Sequence, residues 1–120
     1  MRFREISGIG TFRLVNDYWE CTESLLDGIS VTVLQASIRK ESEARLQWIV
    51  SRWPILVDEC RRYIAQNKAD YGLRACSFTC PSIILGREDW TVYFNTEDEV
   101  DSVVGVEFLG DMPRQLVVGD

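Results

Sequence analysis

Histidine is missing altogether from this 120-residue chain. Its absence removes histidine triads, histidine metal ligands, histidine general bases and a histidine pH switch in one stroke. No run of about 18 apolar residues occurs, so no membrane-spanning helix is expected. The N-terminus Met1-Arg2-Phe3-Arg4-Glu5 carries charges where a secretory signal needs an apolar run. Proline and glycine are scarce, three and eight residues, and no stretch of them divides the chain. Basic residues are in the minority, 13 against 19 acidic, for a net charge of −6. That balance argues against a nucleic-acid backbone or an anionic membrane as principal partner. What is present is an ordinary globular composition, 46% hydrophobic and 27% charged. A chain of this length is expected to form one domain, residues 1–120, with a core that needs no staples.

The four cysteines are Cys21, Cys60, Cys76 and Cys80. Without a secretory signal they are expected to be reduced thiols that pack in the interior, in a cytoplasmic protein. Cys76 and Cys80 fall in an extended stretch, where four residues span roughly 13 Å. A disulfide needs Cα atoms within about 7 Å, so these two do not pair unless the chain folds back. One loosely spaced cysteine pair also makes a poor zinc site. No metal and no cofactor are expected.

Three strand signals precede a helical one. Thr11 to Val15 alternates, and Asn16-Asp17 supplies a turn. From Tyr18 the alternation places Trp19, Cys21 and Leu25 on one face. Asp27-Gly28 is a strong hairpin signal, because both residues tolerate positive φ. Ile29 to Ser37 is β-branched and is expected to return antiparallel.

Between Glu41 and Asn67 the period changes. Leu46, Ile49, Val50, Trp53, Leu56, Val57, Cys60, Tyr63 and Ile64 recur at three- and four-residue spacing, the pattern of one amphipathic helix. Glu41 and Glu43 at its start and Arg61, Arg62 and Lys68 near its end suit the helix dipole. Asp58 and Arg62 are spaced for an i,i+4 ion pair. Pro54 either kinks or divides this helix, and the stripe running in phase across it favours a kink. Gly72 is a plausible stop.

Strand signals then return: Ala75 to Leu85, interrupted by Pro81 as at an edge or bulge, then Trp90–Phe94, Ser102–Phe108 and Arg114–Val118. The expected order is ββ(β)-α-ββββ. The expected class is α+β, a curved antiparallel sheet of about six to seven strands packed on one long helix.

The charge is unevenly placed. Residues 1–85 hold 11 basic and 10 acidic groups, whereas residues 86–120 hold two and nine. The segment Glu97-Asp98-Glu99-Val100-Asp101 is the densest. It reads as a solvated loop or as an acidic patch that steers a basic partner. It lacks the spacing of an EF-hand. The cysteines have no histidine to activate them, and no phosphate loop or dinucleotide motif is present. A carboxylate- or thiol-dependent enzyme is therefore the least supported class. Trp53 fits the core stripe of the helix and Trp48, about 140° away, its margin. Trp90 and Tyr93 point to opposite faces of their strand, so one is expected outside, available for packing, partner contact or a homodimer through the sheet.

The run Cys80-Pro81-Ser82-Ile83-Ile84-Leu85, then Trp90-Thr91-Val92-Tyr93-Phe94, an acidic loop and Val104-Gly105-Val106-Glu107-Phe108, resembles the C-terminal strands of some small bacterial α+β domains. The hairpin with Trp19 and the Leu26-Asp27-Gly28 turn, ahead of one long helix, is similar too. Such domains are common among predicted immunity proteins of polymorphic toxin systems. Members often carry a Gly-His pair near the penultimate strand, which this chain lacks, so the resemblance implies a fold and a role but no site residue. The function it implies is neutralisation of a cognate protein toxin by direct binding. The acidic C-terminal part suits a toxin with a basic surface. The residues expected at the contact are Trp90, Glu97, Asp98, Glu99 and Asp101. The alternative is a small-ligand-binding or regulatory module, marked by an apolar cavity with converging polar groups.

Overall fold

The computed structural model describes residues 2–74, 77–96 and 103–119. Among these residues, one helix packs on one face of an open eight-stranded sheet, so the α+β class holds. The strands are β1 (Phe3–Ile6), β2 (Gly10–Val15), β3 (Tyr18–Cys21) and β4 (Val31–Val33), followed by α1 (Lys40–Asn67) and a 3-10 turn (Lys68–Tyr71). Then come β5 (Phe78–Leu85), β6 (Asp89–Thr96), β7 (Val103–Leu109) and β8 (Met112–Gly119). They lie in the sheet in chain order, each beside its sequence neighbour.

Two features of the sheet differ from the sequence expectation. The strand count is higher, because β1 joins the edge. Its polar run Phe3-Arg4-Glu5 gives no apolar alternation: Phe3 is 61% exposed and Ile6 alone is buried. Backbone pairing with β2 makes the strand, Arg4 opposite Phe12 and Ile6 opposite Gly10. The second difference is that β4 and β5 pair parallel, Val31–Val33 beside Ile83–Leu85. A parallel pair needs a crossover of a dozen residues or more, and α1 supplies it. The sheet is thus two antiparallel meanders joined by one parallel seam.

The strands before the helix are also shorter than their β-branched runs. β3 stops at Cys21, so Trp19 and Cys21 are buried as the alternation predicts while Leu25 is 75% exposed. Residues 24–29 form a closed turn instead, with the Ser24 N–H donating to the Ile29 carbonyl (3.1 Å) and the Gly28 N–H to that of Ser24 (2.9 Å). Asp27 and Gly28 both take positive φ there, 55° and 73°, as the Asp-Gly signal requires.

The helix matches its periodicity closely. Leu46, Ile49, Trp53, Leu56, Cys60 and Ile64 form the buried stripe against the sheet. α1 runs unbroken through Pro54, which leaves the Val50 carbonyl without its i+4 donor. Gly72 ends the helical segment in the left-handed region, φ 69°. The core that α1 covers includes Phe12, Trp19, Val33, Ile83, Val92, Phe94, Val106 and Phe108. No helix among the described residues is long and apolar enough to cross a membrane.

Candidate binding site

A cleft of about 780 Å³ opens at the parallel seam. Its origin is the brevity of β4. Only three residues of β4 pair with β5, and the Ser30 carbonyl accepts the Ile83 N–H (3.0 Å) as the last link. Before Ser30 the chain belongs to the 24–29 turn, so among the described residues Phe78–Ser82 have no strand beside them on that side. Asp27 to Ser30 make one wall, and Pro81, Ser82 and Asn95 the opposite one. The helix spans the gap with Trp53, Pro54, Val57, Asp58 and Arg61, which recur at three and four residues and so share one face.

Pro81 sits where a strand tolerates it. The pairing of β5 with β6 shifts by one residue between Thr79 and Ser82, a β-bulge. The side of β5 that lacks a neighbour there is an internal edge, and Pro81 brings it no N–H.

Hydrogen bonds fix the walls. The Trp53 indole Nε1–H donates to Asp27 Oδ2 at 3.0 Å, tying the helix to the turn. Arg61 donates through Nη2 to the Phe78 carbonyl (3.2 Å), and its guanidinium lies 5.8 Å from the Phe94 ring centre, tying the helix to β5. The Asp58 carboxylate has no hydrogen-bond or ion-pair partner among the described residues. Its expected pairing with Arg62 is not formed, and the helix instead carries an Arg52–Glu59 pair at 3.2 Å. Asp58, Pro54 and Arg61 are solvent-exposed, whereas Trp53 is buried. The cleft thus combines an apolar wall, one free carboxylate, one bonded carboxylate and one committed guanidinium.

Of the residues expected at a partner contact, Trp90 is described, and it does not line this cleft. Trp90 is 2% exposed; it stacks on Phe108 with ring centres 4.1 Å apart, meets Trp48 edge-on at 5.9 Å, and donates its Nε1–H to the Gly110 carbonyl at 2.9 Å. Trp48 is half-buried between the guanidinium groups of Arg45 (4.9 Å) and Arg52 (5.1 Å). Tyr93, on the opposite face from Trp90, covers Gly105. A Cβ on Gly105 would lie 2.8 Å from two carbons of the Tyr93 ring. Glu97, Asp98, Glu99 and Asp101 lie outside the described residues, as does Cys76.

Cys21 and Cys60 are free and buried. Burial pushes the Cys60 thiol up to about 12, with Glu59 adding to the rise and Arg61 opposing it, and burial also raises Cys21. Neither supplies a thiolate near neutral pH. Among the described residues no group of three or more cysteine, aspartate or glutamate side chains is arranged to hold a metal ion.

Sequence reasoning singled out Asp27 as a turn residue, Trp53 as core and Asp58 as half of an ion pair. The signal that links them is the helical face Trp53, Pro54, Val57, Asp58 and Arg61, where an apolar stripe carries charge at its border. Comparison with protein-family models, with curated proteins and with solved structures finds no match to this chain.

Proposed function

We propose that this chain is a protein–protein interaction domain that holds a basic partner at the cleft between α1 and β5. The observation that carries the reading is the cleft itself, about 780 Å³ with the free Asp58 carboxylate on its rim. A net charge of −6 supplies long-range attraction for a cationic partner. Exposed Pro54, Asp58 and Arg61 leave the cleft open to water along the helix. A ligand there keeps one side solvated, as a segment of a larger protein does. Small-molecule sites instead bury about 70–90% of their ligand. Within this class, the strand-and-turn resemblance favours an immunity-like role, with a cognate bacterial toxin as the partner.

The role is tested by co-expression in a bacterial host. If a large secreted protein with a variable C-terminal domain is encoded beside this chain, that domain is expected to arrest growth alone and to be neutralised by the chain. Arrest that persists despite soluble expression of both rejects the toxin reading. Replacing Glu97, Asp98, Glu99 and Asp101 with their amides is expected to slow association, mainly at low salt. An unchanged on-rate and salt dependence removes the acidic run from the contact.

The same cleft favours a small-ligand module as the second reading, since its volume lies in the usual range of about 300–1,000 Å³ for such sites. A diverse set of fragment molecules that shifts the amides of Gly28–Ser30 and Val57–Arg61, while no peptide does, would select it.

A further inference from the structure

We propose that the sheet face turned away from α1 is a self-association surface, on which two copies of this chain pack face to face as a two-fold dimer.

Alternation along the strands turns Phe12, Trp19, Val33, Ile83, Val92 and Val106 towards α1 and sends their neighbours to the other side. No described helix or strand covers the sheet there. Leu34, Ile84, Thr91, Tyr93 and Val117 line a shallow hollow of about 210 Å³ on that face. Exposed Leu109 and Met112 lie opposite each other at its end. Charge is thin at the centre and is paired in place, Glu107 with Arg114 (2.6 Å) and Arg13 with Glu20 (2.7 Å). A centre poor in free charge but holding tyrosine and methionine is what distinguishes a protein interface from other surface.

The charge pattern also selects the occupant. A two-fold contact sets one patch against itself, so unpaired charge of one sign within it would repel. The chain carries a net charge of −6. On this face the two ion pairs leave Glu5 and Asp89, towards its margins, as the uncompensated charges among the described residues. A strongly cationic or anionic partner finds no free counter-charge at the centre, whereas a second copy needs none.

The size is sufficient. Eight strands about 4.8 Å apart span about 34 Å, and their mean length of about six residues covers about 20 Å. The face therefore presents on the order of 700 Å² in projection, to which side-chain relief adds, and a standard interface takes about 800 Å² per partner. Two twisted sheets stack in this way about 10 Å apart with their strands about 30° off parallel. Lateral pairing is the poorer route. On the edge strand β8, Pro113 brings no N–H and the Tyr71 hydroxyl holds the Leu116 N–H (3.3 Å), while the opposite edge β1 has four residues, two of them charged. The dimer leaves Pro54, Asp58 and Arg61, on the helix side of the sheet, open to a different partner.

Sedimentation equilibrium of the full chain, from about 1 to 200 µM, tests this. A monomer–dimer equilibrium is expected that tightens as salt rises from about 50 to 500 mM, because two acidic copies repel until screened. Binding of a basic partner at the cleft would weaken over the same range. Leu34→Glu and Met112→Glu, both at exposed positions, should weaken the dimer about ten-fold or more while leaving Tm unchanged. Ile55→Glu, an equally exposed position on the helix, should change nothing. On dilution the methyl resonances of Leu34, Ile84 and Val117 should shift and those of Leu25 and Ile55 should not. A chain that stays monomeric at about 200 µM in both salts overturns the inference, as does a dimer that loosens with salt or responds equally to Ile55→Glu and Leu34→Glu. Dimerisation that protects the β8 amides from exchange and leaves the face methyls unmoved also overturns it. A monomer that still binds a basic partner removes the dimer alone and leaves the cleft reading standing.

Discussion

Asp27 is a position where two structural demands meet, and a short substitution series separates them. Its carboxylate accepts the Trp53 indole N–H at 3.0 Å, and its backbone sits at φ 55°. Replacement by alanine removes the acceptor and strands a donor on a tryptophan that is only 5% exposed. An orphaned buried donor costs about 1–3 kcal/mol, and the lower half applies because Asp27 faces water. Alanine in the left-handed region costs about 1–2 kcal/mol more. Asp27→Ala is therefore expected to lose about 2–4 kcal/mol. Asp27→Gly relieves the backbone and keeps the orphan, for about 1–2 kcal/mol. Asn tolerates the left-handed region and its amide oxygen still accepts, so Asp27→Asn should stay within about 0.5 kcal/mol of wild type. For 120 residues the unfolding entropy is about 0.25 kcal/mol per kelvin, so each kcal/mol moves Tm by about 4 °C. Calorimetry and urea titration should thus find Tm lowered by about 8–16 °C for alanine, about 4–8 °C for glycine and less than about 2 °C for asparagine. The order Asn, Gly, Ala is the substance of the reasoning. An alanine variant within about 2 °C of wild type, or an asparagine variant as unstable as alanine, would refute it.

Three further outcomes follow from other parts of the sheet. Gly105→Ala places a methyl 2.8 Å from Thr91 Cγ2 and from the Tyr93 ring. Overpacking of about 1–3 kcal/mol should exceed the gain of about 0.4–1 kcal/mol from a stiffer unfolded chain, and urea midpoints should show a net loss that Tyr93→Ala relieves. Glu107 accepts hydrogen bonds from Arg114 (2.6 Å) and Gln115 (2.7 Å), which, led by Arg114, hold its carboxyl below the ordinary value of 4.5. Its contribution is present above the ordinary glutamate range and is lost as pH falls through the lowered folded value. The stability gap between wild type and Glu107→Gln should therefore be widest near neutral pH and narrow below about pH 4.5; a gap independent of pH contradicts the assignment. Tyr71 accepts the Leu116 N–H at 3.3 Å on the edge strand β8. Tyr71→Phe should speed hydrogen exchange at that amide and cost about 0.5–1.5 kcal/mol at most; unchanged exchange would show that the hydroxyl does not protect the edge.

Much of this architecture is written locally. The stripe from Leu46 to Ile64 specifies α1 and its buried face, because period 3.6 is a property of neighbouring residues. The Asp27-Gly28 dihedrals, the bulge at Pro81 and the left-handed stop at Gly72 are legible for the same reason. β1 is not, since a strand held by backbone pairing on a polar sequence carries no side-chain pattern. The parallel seam is not legible either: Val31–Val33 meet Ile83–Leu85 across the whole helix, and no local signal encodes that register. The cleft exists only because of that seam, since a longer β4 would cover Phe78–Ser82 and close it. Sequence alone determined an acidic, histidine-free α+β chain with one long helix and an uneven charge. Tertiary structure decided that Trp90 lies inside, that Asp58 stands unpaired beside an apolar wall, and that both depend on contacts between residues distant in the chain.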